Sequence, residues 1–146
     1  MTRHQKTEVD EVIREWYLAL NANDVDRVKS IWDKTYDQLV YIAEENNEAL
    51  YGWSGVEGYY DGLKSDVGSV EWKIDNLQTD VIGEAAWAYL TYVVEVEIKS
   101  FNRTMTFNGR NTFVLRKTDN QWKIIHYHES LSRDRSHDTW NWFFQP

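Results

Sequence analysis

The chain has 146 residues, 42% of them hydrophobic, with no cysteine and a single proline at its last position. That length supports one compact domain burying about 70% of its unfolded surface, which excludes a second domain and removes any need for a disulfide or metal staple. The formal charge of −8, from 24 acidic against 16 scattered basic residues, opposes a polyphosphate, so nucleic acid is not an expected partner. No apolar run approaches about 18 residues, and the N-terminus, Met1-Thr-Arg-His-Gln-Lys6, passes straight into acidic sequence. Neither a membrane span nor a signal peptide is therefore expected, and the chain reads as cytoplasmic. Eight Trp, nine Tyr and five Phe make up 15% of the chain. Such residues fill cores, line small-molecule cavities and anchor interfaces.

Val9, Val12, Ile13, Trp16, Tyr17 and Leu20 recur at helical spacing and form one apolar stripe. Thr7, with Asp10 three residues later, resembles a capping box and predicts the start of that helix. Asn21-Ala-Asn23 ends it, and Asp24 caps a short second helix through Val25, Val28, Ile31 and Trp32. Leu39 to Ala43 reads as a strand leading into an acidic turn, Glu44-Glu-Asn-Asn-Glu48. The Ser54-Gly-Val-Glu57 box predicts a third helix carrying Val56, Tyr59, Tyr60 and Leu63, with Gly68 closing the segment. From Val70 the period becomes 2, with Val70, Trp72 and Ile74 on one face. Three longer strands follow, at about Ala85 to Lys99, Thr104 to Lys117 and Gln121 to Ser130, with turns at Asn102-Arg103 and Thr118-Asp-Asn120. Three helices gathered ahead of a mostly antiparallel sheet make an α+β domain, one face of the sheet being covered by the helices.

Alternation divides each strand into two faces. Met105, Phe107, Phe113 and Leu115 form the core face of one strand, and Ala88, Leu90, Tyr92, Val94, Val96 and Ile98 that of its neighbour. The opposite face carries Trp87, Tyr89, Val93, Val114, Trp122 and Ile124, which is more apolar area than a monomer should expose, so a subunit interface is expected there.

The run from Gly109 to Ser130, and within it Trp122-Lys-Ile-Ile-His-Tyr-His-Glu-Ser130, resembles the closing hairpin of nuclear transport factor 2-like proteins. It is most similar to SnoaL-like domains and to the association (hub) domain of calcium/calmodulin-dependent protein kinase II. Leu20-Asn-Ala-Asn-Asp24 and Ile82-Gly-Glu84 extend the match, giving a domain at 7–131 and an aromatic tail at 132–146. The resemblance implies a cone-shaped, cystatin-like fold: a curved sheet wrapped around the helices, a cavity between them, and assembly as a homodimer or ring. It does not fix function, because the superfamily holds enzymes, binding proteins and oligomerisation modules.

Resemblance to the steroid isomerases of the superfamily puts their two oxyanion donors at Trp16 and Phe113, neither of which can serve, and their base near Glu45 or Asn46. Tyr17 is one residue from the lost donor, about 100° around the helix. The basic pocket residues of the hub domain fall on Tyr92, Phe113 and Glu129, with a His near Tyr59, and none of these is basic here. A carboxylate ligand is thereby disfavoured. A neutral or cationic, hydrophobic or aromatic small molecule suits the candidate lining of Trp16, Trp53, Tyr59, Tyr92, Phe113 and Tyr127.

Glu129 follows Ile125 and Tyr127 on the inward parity. It is either a strand-end acid, solvated or paired to Arg14 or another cation, a ligand anchor, or a general acid or base whose pKa desolvation has raised. His126 and His128 point to one face, a geometry used by metal sites, but no third ligand is evident, and an interface or hydrogen-bonding pair is the expectation. No metal or other cofactor is expected. Arg110 and Arg116 should pair with Glu95 or Glu97 across strands or subunits. Glu44, Glu45 and Glu48 either line the cavity mouth or form a solvated turn. Four aromatics in the five residues Trp140-Asn-Trp-Phe-Phe144 should dock on a partner subunit or close over the pocket. The reading that results is a homo-oligomeric binder of a small hydrophobic molecule. The alternatives are a lyase, isomerase or cyclase acting through Glu129, and a hub-like module with no ligand.

Overall fold

A computed structural model describes residues 2–132. Three helices, α1 (Thr2–Asn21), α2 (Val25–Ser30) and α3 (Gly52–Asp66), pack on one sheet. Its strands are β1 (Val40–Ile42), β2 (Leu50–Tyr51), β3 (Val67–Ile82), β4 (Ala85–Ile98), β5 (Arg103–Thr118) and β6 (Gln121–Leu131). Their spatial order is β2-β1-β6-β5-β4-β3, antiparallel throughout except for the parallel pairing of β1 with β6. This is the α+β, cystatin-like arrangement expected. The α1 stripe of Val9, Ile13, Trp16 and Tyr17 is buried against the inward face of the sheet. Among the described residues no helix is long and apolar enough to cross a membrane.

Helix boundaries differ from the expected ones for local reasons. Thr7 does not begin α1: its hydroxyl donates to the Arg3 carbonyl one turn back, at 3.1 Å, inside a helix that already runs from Thr2. Asp24 does cap α2, accepting the Arg27 N–H at 3.2 Å. That helix stops at Ser30, and Trp32 goes instead to a parallel bridge with Ile124. The α3 helix opens at Gly52, whose φ of +69° turns the chain out of β2 and whose N–H donates to the Leu39 carbonyl at 2.9 Å. Ser54 and Glu57 are consequently internal to α3. Gly68 closes nothing, because β3 begins at Val67. The two-residue β2 lies below what alternation can reveal.

Of three register shifts among the described strands, one lies at the start of β3 between Val67 and Val70, and two others set the faces of the sheet. In β3 the register slips between Asp75 and Gln78, around Asn76 with φ +50°, so that Leu77, Thr79 and Val81 continue the inward face of Trp72 and Ile74. Thr79 can then donate to Asp10 Oδ1 of α1 at 2.5 Å. In β6 the partner of Val114 is His126 but that of Leu115 is Ile124, which leaves Ile125 as an extra residue. Trp122 and Ile124 therefore point inward, 4% and 0% exposed, and not outward as strict alternation predicts. The outer face keeps Trp87, Tyr89, Val114 and Val93, the last 42% exposed. Cross-strand pairing adds His126, Val40, His128 and Ile42 to it.

Asp33, buried after α2, ties the helical layer to the sheet. It accepts Arg116 Nε at 2.6 Å and the Thr118 hydroxyl at 2.8 Å on one oxygen, and the N–H and hydroxyl of Thr35 on the other. Arg116 is thus paired here and not to Glu95 or Glu97. Burial alone would raise the pKa of Asp33, but these hydrogen bonds outweigh it and hold the carboxyl well below the usual carboxylate range. A depressed folded-state pKa contributes stability above the unfolded value and loses it as pH falls. Asp33→Ala should lower unfolding free energy by about 2–4 kcal/mol at pH 7. In urea titrations the gap to the parent should narrow as pH is taken below about 4.

Candidate functional site

Several apolar side chains on the inward parity are only half-buried, among them Leu63 of α3, Val70 and Trp72 of β3, Val96 of β4, and Met105 and Phe107 of β5. They border a space as well as the core. That space is a cavity of about 580 Å³ between α1, α2, α3 and the concave side of the sheet. Its size falls within the range of small-molecule sites. Among its described lining residues none is Lys, Arg or His, and the carboxylates are Asp24, Glu44, Glu45 and Glu129. Asp24 is occupied as the α2 cap, while Glu44 and Glu45 stand exposed at the mouth where β1 ends. Glu48 does not line the cavity.

Glu129 is 8% exposed and sits on β6 beyond the bulge. The Tyr92 hydroxyl donates to its Oε2 in a short hydrogen bond, the Tyr127 hydroxyl to its Oε1 at 3.2 Å, and the Glu44 backbone N–H to the same oxygen at 3.4 Å. No cation among the described residues pairs with it, and Arg14 is exposed elsewhere, so among the described residues Glu129 is neither solvated nor ion-paired. Gly109 is the register partner of Tyr92, and a Cβ at that position would run into the Tyr92 ring. Glycine thereby leaves room for the phenol to reach the carboxyl. Burial pushes the Glu129 pKa up and nearby Glu45 adds to it, against the lowering effect of Tyr92. Tyr92 itself is raised by burial and by Glu129.

Aromatic rings make the walls. Tyr127 stacks on Tyr41, with centroids 4.6 Å apart and planes at 12°, and Tyr59 lies 4.5 Å beyond Tyr41. Trp16 meets Tyr127 at 5.2 Å, and Trp72 meets Tyr92 at 4.7 Å. Asn21 fixes Trp72 by exchanging two hydrogen bonds with its backbone, at 2.6 and 3.0 Å. The Tyr59 hydroxyl donates to Glu45 in a further short bond.

Of the sequence-derived lining, Trp16, Tyr59, Tyr92 and Tyr127 border the cavity and two residues do not. Phe113 is wholly buried behind Trp16 and Tyr127, edge-on to both, so it supports the wall without reaching the space. Trp53 lies about two turns nearer the start of α3 than Tyr60, its ring covered by Lys34 Nζ at 4.9 Å. Tyr17 turns away from the cavity and its hydroxyl accepts the Asn111 amide, while Asn46 caps the Ala43 N–H at 2.8 Å. Of the two positions expected for a base, Glu45 borders the space and Asn46 does not. Sequence reasoning missed Tyr41, Tyr60 and Trp72 as lining. Trp72 carried a signal, its inward parity with Val70, whereas three-residue β1 is too short to orient Tyr41. Trp16 borders the cavity, and its indole N–H is buried with no well-formed hydrogen bond, although it lies close enough to the Tyr60 hydroxyl to favour ionisation there.

His126 and His128 lie on the opposite side of the sheet. Burial and the second imidazole both lower the His126 pKa. Among the described residues no group of three or more His, Cys, Asp or Glu could hold a metal ion. Arg110 donates to Ser130 Oγ at 2.9 Å and not to a glutamate. The aromatic tail expected to dock or close lies, beyond Ser132, outside the described residues.

The model of the SnoaL-like domain family matches residues 9–134. Among solved structures, a candidate dehydratase of the nuclear transport factor 2-like family from Streptomyces avermitilis superimposes with a TM-score of 0.80 at 16% identity, over 90% of this chain and 99% of that one. A candidate aromatic ring hydroxylase from Novosphingobium aromaticivorans gives 0.79 at 16%, over 92% and 93%. A candidate calcium/calmodulin-dependent protein kinase II association domain from Xanthomonas campestris gives 0.72 at 20%, over 87% of each chain. At these identities the structures establish the fold alone. A comparison with curated proteins finds no match.

A carboxyl whose pKa is raised on folding destabilises the native state once pH exceeds its unfolded value. Glu129 does so against Tyr92, Tyr127, Glu44 and Glu45, the groups that face it or act on it. Glu129→Gln should therefore be more stable than the parent by on the order of 1 kcal/mol at pH 7 in urea titrations. The advantage should shrink as pH falls toward about 4, where the acid is protonated in both states.

Proposed function

The chain belongs to the SnoaL-like domain family, and on that footing we propose that it binds a small hydrophobic or aromatic molecule in its internal cavity, with Glu129 as the polar anchor. The observation that carries this reading is an aromatic-walled space of about 580 Å³ whose interior holds one buried carboxylate on two tyrosine hydroxyls. Ligand pockets combine apolar walls with a few placed polar groups in this way. A vestigial cavity would have no need to keep a charged side chain out of water. Trp16, Tyr59, Tyr92 and Tyr127 form the contact surface in this proposal, with Tyr41 and Trp72 beside them.

A second reading, acid–base catalysis, is favoured by the raised pKa of Glu129 in a site with tyrosine donors. Solved relatives named for dehydratase and ring-hydroxylase chemistry share the fold, and function does not follow from fold. As a lyase, isomerase or cyclase, the protein would use Glu129 to move a proton on the bound molecule. We also propose self-assembly through the outer sheet face, supported by the apolar set of Trp87, Tyr89, Val93 and Val114. That the relative from Xanthomonas campestris is named an association domain is in keeping with it.

Native mass spectrometry of the freshly purified full chain should show more than one subunit and a stoichiometric small-molecule adduct. Leu63→Trp, which fills the space from α3, should lower affinity for that molecule about tenfold or more while leaving the unfolding transition in place. A clean adduct-free oligomer that binds nothing would leave assembly as the function. Incubation of the released molecule with protein in D₂O separates enzyme from binder. Carbon-bound deuterium exchange or turnover that Glu129→Gln slows by about 10²–10⁴-fold would establish proton transfer.

A further inference from the structure

Resting on the pocket reading above, we propose that the molecule held in the cavity is a protonated organic amine with an aromatic or aliphatic body, its ammonium group seated against Glu129. The charge on the cavity carries the inference. Glu44 and Glu45 stand at the mouth and Glu129 lies inside, and among the described lining residues there is no Lys, Arg or His to balance them. A buried carboxylate with no cationic partner is costly, and a cation supplied by the ligand removes that cost. Tyr92 takes one acceptor position on Oε2 of Glu129, and Tyr127 and the Glu44 N–H take two on Oε1; a carboxylate accepts about four, so one position on Oε2 remains for an ammonium N–H donor.

The walls favour the same ligand. The stacked rings of Tyr41 and Tyr127 continue through Tyr59 on one side, and Trp72 and Tyr92 form the other. Ring faces beside a carboxylate attract an ammonium ion, and the attraction grows as water is excluded. The apolar side chains of β3, β4 and β5 that line the rest of the space suit the carbon body. A carboxylate ligand would meet four acids and, among the described lining residues, no base. A neutral ligand would fill the volume and leave Glu129 without a counter-charge. The formal charge of −8 on the whole chain draws cations toward the mouth over longer distances.

The test uses matched pairs of probes that differ only in charge: tryptamine against tryptophol, and phenethylamine against 2-phenylethanol, with indole-3-propionate as the anion. Affinities for the full chain are measured by calorimetry at pH 7 and low salt. The amine of each pair should bind about tenfold or more tightly than its alcohol, as expected for a hydrogen bond to a charged partner, and the anion should bind most weakly. Glu129→Gln should bring amine and alcohol to within about threefold of each other. Continued binding of the alcohols by that variant would show that the pocket is intact. Equal binding of amine and alcohol by the parent overturns the amine assignment and leaves the pocket reading standing. So does an amine preference that survives in Glu129→Gln. Failure of every probe, together with an adduct-free native mass spectrum, overturns the pocket reading itself.

Discussion

One extra residue in β6 decides what the interior of this protein contains. Side chains on a strand alternate with a period of two, so a single inserted position exchanges the faces of everything beyond it. The slip at Ile125 lets the strand contribute Trp122 and Ile124 to the core on one side of the bulge and Tyr127 and Glu129 to the cavity on the other. Without it, Trp122 and Ile124 would share the outer face with His126 and His128. The slip in β3 at Asn76 acts in the same sense, keeping Thr79 beneath α1 and Trp72 beside the site. Bulges bend a strand and increase its local twist, and the space lies between the inward face of the sheet and the helices.

The site is built from side chains that hold one another. Tyr92 reaches Glu129 because Gly109, across the strand pair, presents no Cβ, and Tyr127 is held by Tyr41 stacked on it and by Trp16. The β1 chain contributes both Tyr41 and the Glu44 N–H through its parallel pairing with β6. A carboxyl placed in such surroundings is destabilising for the fold, and the rest of the structure carries that cost. Asp33 shows the contrasting treatment of a buried acid: with Arg116, Thr35 and Thr118 around it, its charge is satisfied and its role is to fasten layers. Of the buried carboxylates among the described residues, Asp33 has a cation and Glu129 has none there, which separates the structural acid from the functional candidate.

Family membership constrains this picture without completing it. The SnoaL-like match and the solved relatives account for the layer arrangement. They do not account for the chemistry of the cavity, since the positions that the resemblance equates with oxyanion donors or basic residues hold Trp16, Phe113, Tyr92 and Glu129 here. The interior of this chain is aromatic, with acids and no described base among its lining.

The sequence by itself determined the class of fold, the helix stripes, the strand faces of β4 and β5, and the inward placement of Glu129 with Tyr92 and Tyr127, because periodicity and turn residues report burial locally. It also carried the family resemblance in the closing hairpin. Only the tertiary structure decided the orientation of Trp122 and Ile124, the exclusion of Phe113 and Trp53 from the cavity, the entry of Tyr41 and Trp72 into it, and the pairing of Arg116 with Asp33. A bulge has no signature in alternation, and contacts such as Asp33 to Arg116 join residues 83 positions apart. Which aromatic residue faces a void and which lies behind another ring depends on distances between layers, and these exist only once the layers have packed.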